Sequence, residues 1–431
     1  NFYFGSIEVF VGDVIFDAQS NGSVDLDLFF DVGDRDLDGL PDVWEEEGID
    51  FDDDSIPEIP LFAYGADPDH KDLFVEVDVQ QSSEFPIDDF FLVEQAFESA
   101  PIENPNGATG IRLHVMIDDE SLPNLVYPFD EAALRSAIAT QKQTWFGTLQ
   151  ERGEPNWEVT GRDLKRRAFR YCVIGGRIDG DASGFAEIPG NDFVVATDDT
   201  RFSAWDSDDR ISTFMHELGH TLGLLHGGGD DVNHKPNYVS IMNYSFQTPS
   251  TIPSSIPWTL DYSRTVILPL DESALVESWG ILGDASLYAG RKTPINAAPA
   301  GSPENFVFVG IGDGNAIDFD GDGAVPETSA VQADLNHLVR SEDASPGEVL
   351  RGFADWGNIQ LHYSGAEGFG AASTGGLTTA SPGIGAMTPA IFDALAQAFG
   401  ATVVTSVESD PRDSDGDVFL TVPRPNPSNG A

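Results

Sequence analysis

His216, Glu217, His220, Gly223 and His226 fall at offsets that could do chemistry. The 431-residue chain has only eight histidines, and three of them lie in the stretch HELGHTLGLLH. His216 and His220 are four apart, so on a helix their imidazoles leave one face a turn apart. From there both can reach a single zinc ion at about 2.0–2.1 Å. A helix is independently supported by Ile211, Phe214, Leu218, Leu222 and Leu225, whose steps of three and four make an apolar stripe. Gly223 can end that helix with a positive φ, which costs any other residue more. The turn would then bring back His226 as a third ligand. Three protein ligands leave a fourth position for water, the arrangement of a catalytic rather than a structural zinc. Glu217 is too close to His216 in sequence to be a comfortable co-ligand but is placed to touch that water. The chemistry would be metal-assisted hydrolysis, with Glu217 taking a proton from water and returning it to the leaving amine.

The pattern H-E-x-x-H-x-x-G-x-x-H followed by a methionine turn resembles the metzincin zinc endopeptidases. His216, His220 and His226 match the zinc ligands, Glu217 the general base and Gly223 the turn glycine. SIMNY (240–244) matches the methionine turn, with Met242 sixteen residues beyond the third histidine. The resemblance implies that Met242 forms an apolar floor under the metal without binding it. It also implies that Tyr244 stands beside the zinc and stabilises the tetrahedral oxyanion, as in astacin-like and serralysin-like members. The fold it implies is α+β, a two-subdomain catalytic domain around a twisted mixed sheet. There SGFAEIPG and NDFVVAT (183–197) would be the sheet edge that pairs with an extended peptide substrate. HGGGDD after the third histidine differs from the astacin, adamalysin and matrix metalloproteinase continuations. The whole chain looks similar to bacterial secreted metzincin-like proteins with aspartate-rich calcium repeats.

The elements that must position these residues are legible upstream. Residues 1–33 alternate apolar and polar and read as a β-rich segment; 34–70 is an aspartate-rich region. KDLFVEVD (71–78), IRLHVMID (111–118), AFRYCVIGG (168–176) and NDFVVAT (191–197) read as strands. Helices are expected over 86–100 and 130–146, and from Asp208 or Asp209 as N-cap into the histidine motif. This order is compatible with what the resemblance implies, an upper catalytic subdomain at 71–226 and a lower one, with the methionine turn, at 227–400. The lower part has sparse periodicity apart from a helix at 388–400, where Thr388, Pro389 and Gly400 mark the ends. Residues 401–431 form an Asp- and Pro-rich tail. Its VPRPNPSNGA reads as a linker, with a resemblance to the opening of type IX secretion sorting domains as the alternative.

Acidic residues outnumber basic ones 73 to 22, a formal charge of −51. Such a surface argues against nucleic acid and anionic lipid as partners. Calcium binding by clustered carboxylates and solubility at high salt both account for it. DRDLDGLPDVWE (34–45) fits a calcium loop. Asp34, Asp36 and Asp38 hold the odd positions and Gly39 the sharp turn. The Leu40 carbonyl, Asp42 and finally Glu45, as a bidentate ligand, follow. A second set, Asp50, Asp52, Asp54 and Glu58, lacks the turn glycine. A third, Asp318, Asp320 and Asp322 with Gly323, has Glu327 two residues early; Asp413, Asp415 and Asp417 form a fragment.

The single cysteine, Cys172, excludes an intramolecular disulfide and reads as a buried apolar residue. No run is long and apolar enough to span a membrane, and no signal peptide is visible, so the secretion that the resemblance implies would make this a mature secreted form with its signal already removed. The expected cofactors are zinc and calcium, and the expected partners are protein or peptide substrates. Oligomeric state is not legible. A calcium-dependent extracellular surface protein with a vestigial zinc site, and a zinc hydrolase of a non-peptide amide, fit the same residues. Casein cleavage sensitive to a zinc chelator separates the endopeptidase from both.

Overall fold

All eight residues of Asp72–Val79 (β1) are buried, which marks a central strand covered on both faces. The computed structural model describes residues 33–361 except 53, 82, 84, 180–181, 197–205, 299–304 and 338–346, together with 395–397. The strands expected within 1–33 and the tail with Asp413, Asp415 and Asp417 lie outside the described residues. So does the 388–400 helix, apart from 395–397, which are helical.

Parallel to β1 run Arg112–Ile117 (β2) on one side and Phe169–Ile174 (β4) on the other, β4 in turn pairing with Asp192–Val195 (β7). Gly184–Ala186 (β6) is antiparallel to β7 and closes the order β2-β1-β4-β7-β6, so the sheet is mixed. Val126–Tyr127 (β3) and Arg177–Ile178 (β5) make a separate two-residue ladder. Parallel neighbours need long crossovers. Helix Phe90–Glu98 (α3) joins β1 to β2; Glu131–Trp145 (α4) and Arg162–Ala168 (α5) join β2 to β4. Two short helices, Asp42–Glu47 (α1) and Leu61–Tyr64 (α2), precede the sheet. Asp130 caps α4, its side chain accepting from Ala133 N at 2.9 Å.

The alternation of β1 sorts the two faces. Leu73, Val75, Val77 and Val79 join α3 and the histidine-bearing helix Ser207–Thr221 (α6) in one core, which also holds Cys172. Burial pushes the Cys172 thiol well above its ordinary pKa, as a packed apolar role requires. Phe74 belongs to the opposite core with Leu134, Ile138 and Trp157. A third core around Ile267, Ile295, Ile311 and Leu350 follows the histidine region. There, Lys292–Asn296 pairs with Phe306–Gly310 and Leu270–Asp271 with Val349–Leu350, two small antiparallel ladders. Such short ladders among loops explain the missing periodicity.

RDLKRRA carries no apolar stripe, so α5 is invisible to pattern reading. Its function is electrostatic. Lys165 is buried, with Nζ 2.5 Å from Glu76 of β1 and 2.6 Å from Glu151. Gly147 N donates to Glu76 at 2.7 Å and Thr148 N to Glu151 at 2.6 Å. Burial alone would lower the Lys165 pKa, yet the two carboxylates raise it above its ordinary value. Lys165→Met should destabilise the fold by about 3–5 kcal/mol in urea unfolding, because two carboxylates would stay buried without their cation. Burial already raises the Glu76 pKa. A raised folded pKa favours the fold at low pH and opposes it as pH rises, so the deficit should shrink on acidification. A loss under about 1 kcal/mol would mean the triad is not structural.

Candidate metal centre

Helix α6 is capped two or three residues earlier than the sequence suggests. Asp206, not Asp208 or Asp209, is the N-cap. Its carboxylate accepts from Asp209 N at 3.1 Å, and Asp209 accepts from Asp206 N at 3.1 Å, a reciprocal capping box. Asp209 is fully buried and also accepts from Ser250 N at 3.1 Å, tying the helix start to the chain beyond the methionine turn.

The far end is set by Gly223. Gly223 N bonds His220 O at 2.9 Å and Leu224 N bonds Gly219 O at 3.0 Å, the paired bonds of a Schellman turn. Gly223 sits at φ +88°, a conformation that favours glycine. The helix stops at Thr221, so Leu225 leaves the apolar stripe and Leu224 is buried instead.

His216 Nδ1 donates to Ile241 O at 2.8 Å, and His220 Nδ1 donates to Leu224 O at 2.7 Å. Carbonyls only accept, so both Nδ1 atoms carry the proton and both Nε2 atoms carry a lone pair. Those two Nε2 atoms lie 3.1 Å apart. Burial lowers the pKa of His220 to about 4 and pushes His216 and His226 well below the usual range, so all three rings are neutral ligands. The His226 ring centroid is 5.4 Å from His216 and 4.9 Å from His220, and one nitrogen from each ring fits within 4.8 Å. Nitrogens bound tetrahedrally to zinc at about 2.0–2.1 Å sit roughly 3.3 Å apart. The triad therefore fits zinc, and the Nδ1–carbonyl bonds are the outer contacts such a ligand set needs.

Met242 is fully buried beneath the helix. A side chain at Gly219 would place its Cβ 2.4 Å from Met242 Sδ and 2.9 Å from Tyr262 Oη. The floor thus depends on a bare backbone between the two helical histidines. Tyr262 Oη donates to Met215 O at 2.5 Å. Asn243 holds the methionine turn from inside, donating to Lys235 O at 3.0 Å and Tyr238 O at 2.8 Å. It then caps the short helix Tyr244–Gln247 (α7) through Ser245 N at 3.0 Å. Tyr244 is fully buried, its ring centroid 4.6 Å from His226 and 5.7 Å from His216. Asn233 accepts from Tyr244 N at 3.1 Å, and buried His234 lies 3.0 Å from Ser245 Oγ.

Glu217 is buried, which pushes its carboxyl well above the ordinary carboxylate range. Its Oε1 abuts the edge strand: a Cβ at Gly184 of β6 would come within 2.3 Å. Gly184, Gly219, Tyr262 and Asp206 were all missed by sequence reading. Only Asp206 had a local signal, the D-x-x-D spacing ahead of an apolar run.

The three aspartate loops share one wiring. Asp34 accepts from Gly39 N at 3.1 Å, Asp50 from Ser55 N at 2.7 Å and Asp318 from Gly323 N at 3.0 Å. In each, the third and fifth residues accept from the amide two positions on: Asp36 and Asp38, Asp52 and Asp54, Asp320 and Asp322. Ser55 adopts φ +73° where the second loop has no glycine. The structure brings together Asp34, Asp36 and Asp38, and Asp50, Asp52, Asp54 and Glu58. Leu40 N donates to Asp38 at 2.7 Å. Asp42 is engaged by Arg35, accepting from its N and Nε at 2.9 Å each. Glu45 instead groups with Asp38 and with Asp72, a residue outside the loop. Burial first, then neighbouring carboxylates, raise Asp36 to about 7, Asp38 to about 8 and Glu45 to about 10.

No family model matches the chain, and no curated protein matches it. Among solved structures it is similar to archaemetzincin from Methanopyrus kandleri, at 17% identity over 41% of this chain and 82% of that one, with a TM-score of 0.22. At that score the likeness adds nothing to the geometry, and the triad is read from its own residues.

Gly184→Ala should leave zinc stoichiometry unchanged but displace the Glu217 carboxylate. Turnover should fall by about 10²-fold, the cost of misplacing a reacting group by roughly an ångström. Unchanged turnover would show that β6 does not set the carboxylate's position.

Proposed function

We propose that the chain is a zinc-dependent endopeptidase, a metzincin-like hydrolase of two subdomains. The observation that carries this is the pair of lone-pair nitrogens of His216 and His220, 3.1 Å apart, with Glu217 and Tyr244 buried around them. Zinc, when bound, supplies Lewis acidity toward a water molecule and a substrate carbonyl.

The chain's own residues supply the rest. His216, His220 and His226 hold the metal with neutral nitrogens. Glu217 takes a proton at its carboxylate and passes it to the leaving amine. Tyr244 Oη donates to the oxyanion that develops as the carbonyl is attacked. β6 pairs with β7 on one side only among the described residues, so its outer edge can accept an extended peptide as an added strand. Protein and peptide substrates follow from that edge. Secretion, and stabilisation by calcium held in the aspartate loops, complete the reading; a ligand that binds only the folded state adds to its stability.

Glu217→Ala should retain one zinc per chain by metal analysis while casein cleavage falls by about 10²–10⁴-fold or more. Near-normal turnover would sink the mechanism. Tyr244→Phe should lower kcat by about 10²–10³-fold with KM little changed, because the hydroxyl acts only on developing charge. A zinc-loaded parent chain that cleaves no protein would overturn the peptidase reading itself.

A further inference from the structure

Glu45 is 1% exposed, yet neither of its carboxylate oxygens accepts a hydrogen bond from any described residue. Its neighbours are carboxylates. Asp36 and Asp72 are as deeply buried, Asp38 nearly so, and Asp36 Oδ2 also lacks a partner among the described residues. Asp38 Oδ2 accepts from Asp72 N at 2.7 Å, which draws the two side chains onto one spot. Ligand oxygens of Asp38, Glu45 and Asp72 fit within 4.8 Å of one another.

The nearby cations are committed elsewhere. Arg35 pairs with Asp42, Glu46 and Asp69, and Lys71 Nζ bonds the Asp36 carbonyl. His114 Nε2 lies 2.5 Å from Asp72 Oδ1 and is the one ring nitrogen that reaches the group among the described residues. An uncompensated carboxylate in such surroundings is strongly unfavourable. Both Glu45 oxygens and Asp36 Oδ2 face carboxylates without a donor, while Asp72 Oδ2 accepts from Asp67 N at 2.9 Å; hard oxygens gathered in this way are what a calcium-class cation takes, at six to eight ligands.

The geometry points to a divalent-cation site built by Asp36, Asp38 and Glu45 together with Asp72, the first residue of β1. Asp42, which a loop pattern alone would include, is outside it and serves Arg35. The cation joins the aspartate loop and α1 to the strand between β2 and β4, so the loop is fastened to the sheet by metal. This deepens the calcium half of the reading above and is independent of the hydrolase half.

The test uses the full chain stripped with a calcium-selective chelator and the variants Glu45→Gln, Asp72→Asn and Asp42→Asn. Equilibrium dialysis against calcium counts bound equivalents, and thermal unfolding is followed with and without calcium. Glu45→Gln should lose one equivalent. Its melting temperature should also rise less than the parent's when calcium is added. Asp72→Asn should weaken the same equivalent by about 10- to 100-fold. Asp42→Asn should keep it. If Glu45→Gln retains every equivalent, or Asp42→Asn loses one while Asp72→Asn does not, this site is wrong although the chain binds calcium. If the parent binds no calcium at all, the wider calcium reading falls with it.

Discussion

Two imidazoles one helical turn apart can share a cation only when their lone pairs face each other, and most of the surrounding structure enforces that condition. One ring is aimed by the carbonyl of Ile241, inside the methionine turn. The other is aimed by the carbonyl of Leu224, which the turn at Gly223 carries back over the helix end. The helix cannot shift without breaking the first contact, nor unwind its last turn without losing the second. Asp209 adds a third tie at the opposite end through Ser250. The chain beyond the histidine motif is therefore held to both ends of its helix by hydrogen bonds to buried groups, which are expensive to leave unmade.

How much of this could be read beforehand depended on the range of the interaction. The strands at 112–117, 169–174 and 192–195 and the helix at 131–145 sit within the expected segments, the strand at 72–79 runs one residue past its own, and the helix at 207–221 starts ahead of the expected cap; burial on one or both faces writes the local period they share. The histidine triad was equally legible, since helix pitch and one glycine turn fix it over eleven residues. Contacts across long separations left no such mark. Gly184 matters because of Glu217, thirty-three positions away, and Gly219 because of Met242 and Tyr262. Asp72 reads in sequence as the start of a strand, and only the fold sets it beside Glu45. α5 was missed because its residues are chosen for charge, with Lys165 inward and Arg166 and Arg167 pairing Asp163.

The acidity of the chain has two faces. Much of the −51 charge is spread over the surface, but Glu76, Asp78 and Glu45 are inside. Each buried carboxylate is handled differently. Glu76 has Lys165; Asp78 accepts from Tyr171 Oη at 2.7 Å and shares a face with Phe74 of the same strand. Glu45 has neither cation nor donor among the described residues. With one cysteine, the chain has no intramolecular disulfide, and the Lys165 pairs with Glu76 and Glu151 tie α5 to β1 without a covalent bond.

The missing side chain at Gly184 also acts as a measure. Glu217 Oε1 occupies the space that any larger residue there would claim. The reach of the carboxylate toward the histidines is thus gauged by the backbone of the outermost strand. Drift of that strand inward or outward would advance or retract the acid group by a similar amount. The spacing between the outermost strand and the carboxyl is thus written by an absence of atoms: one bare α-carbon sets how near the two can lie.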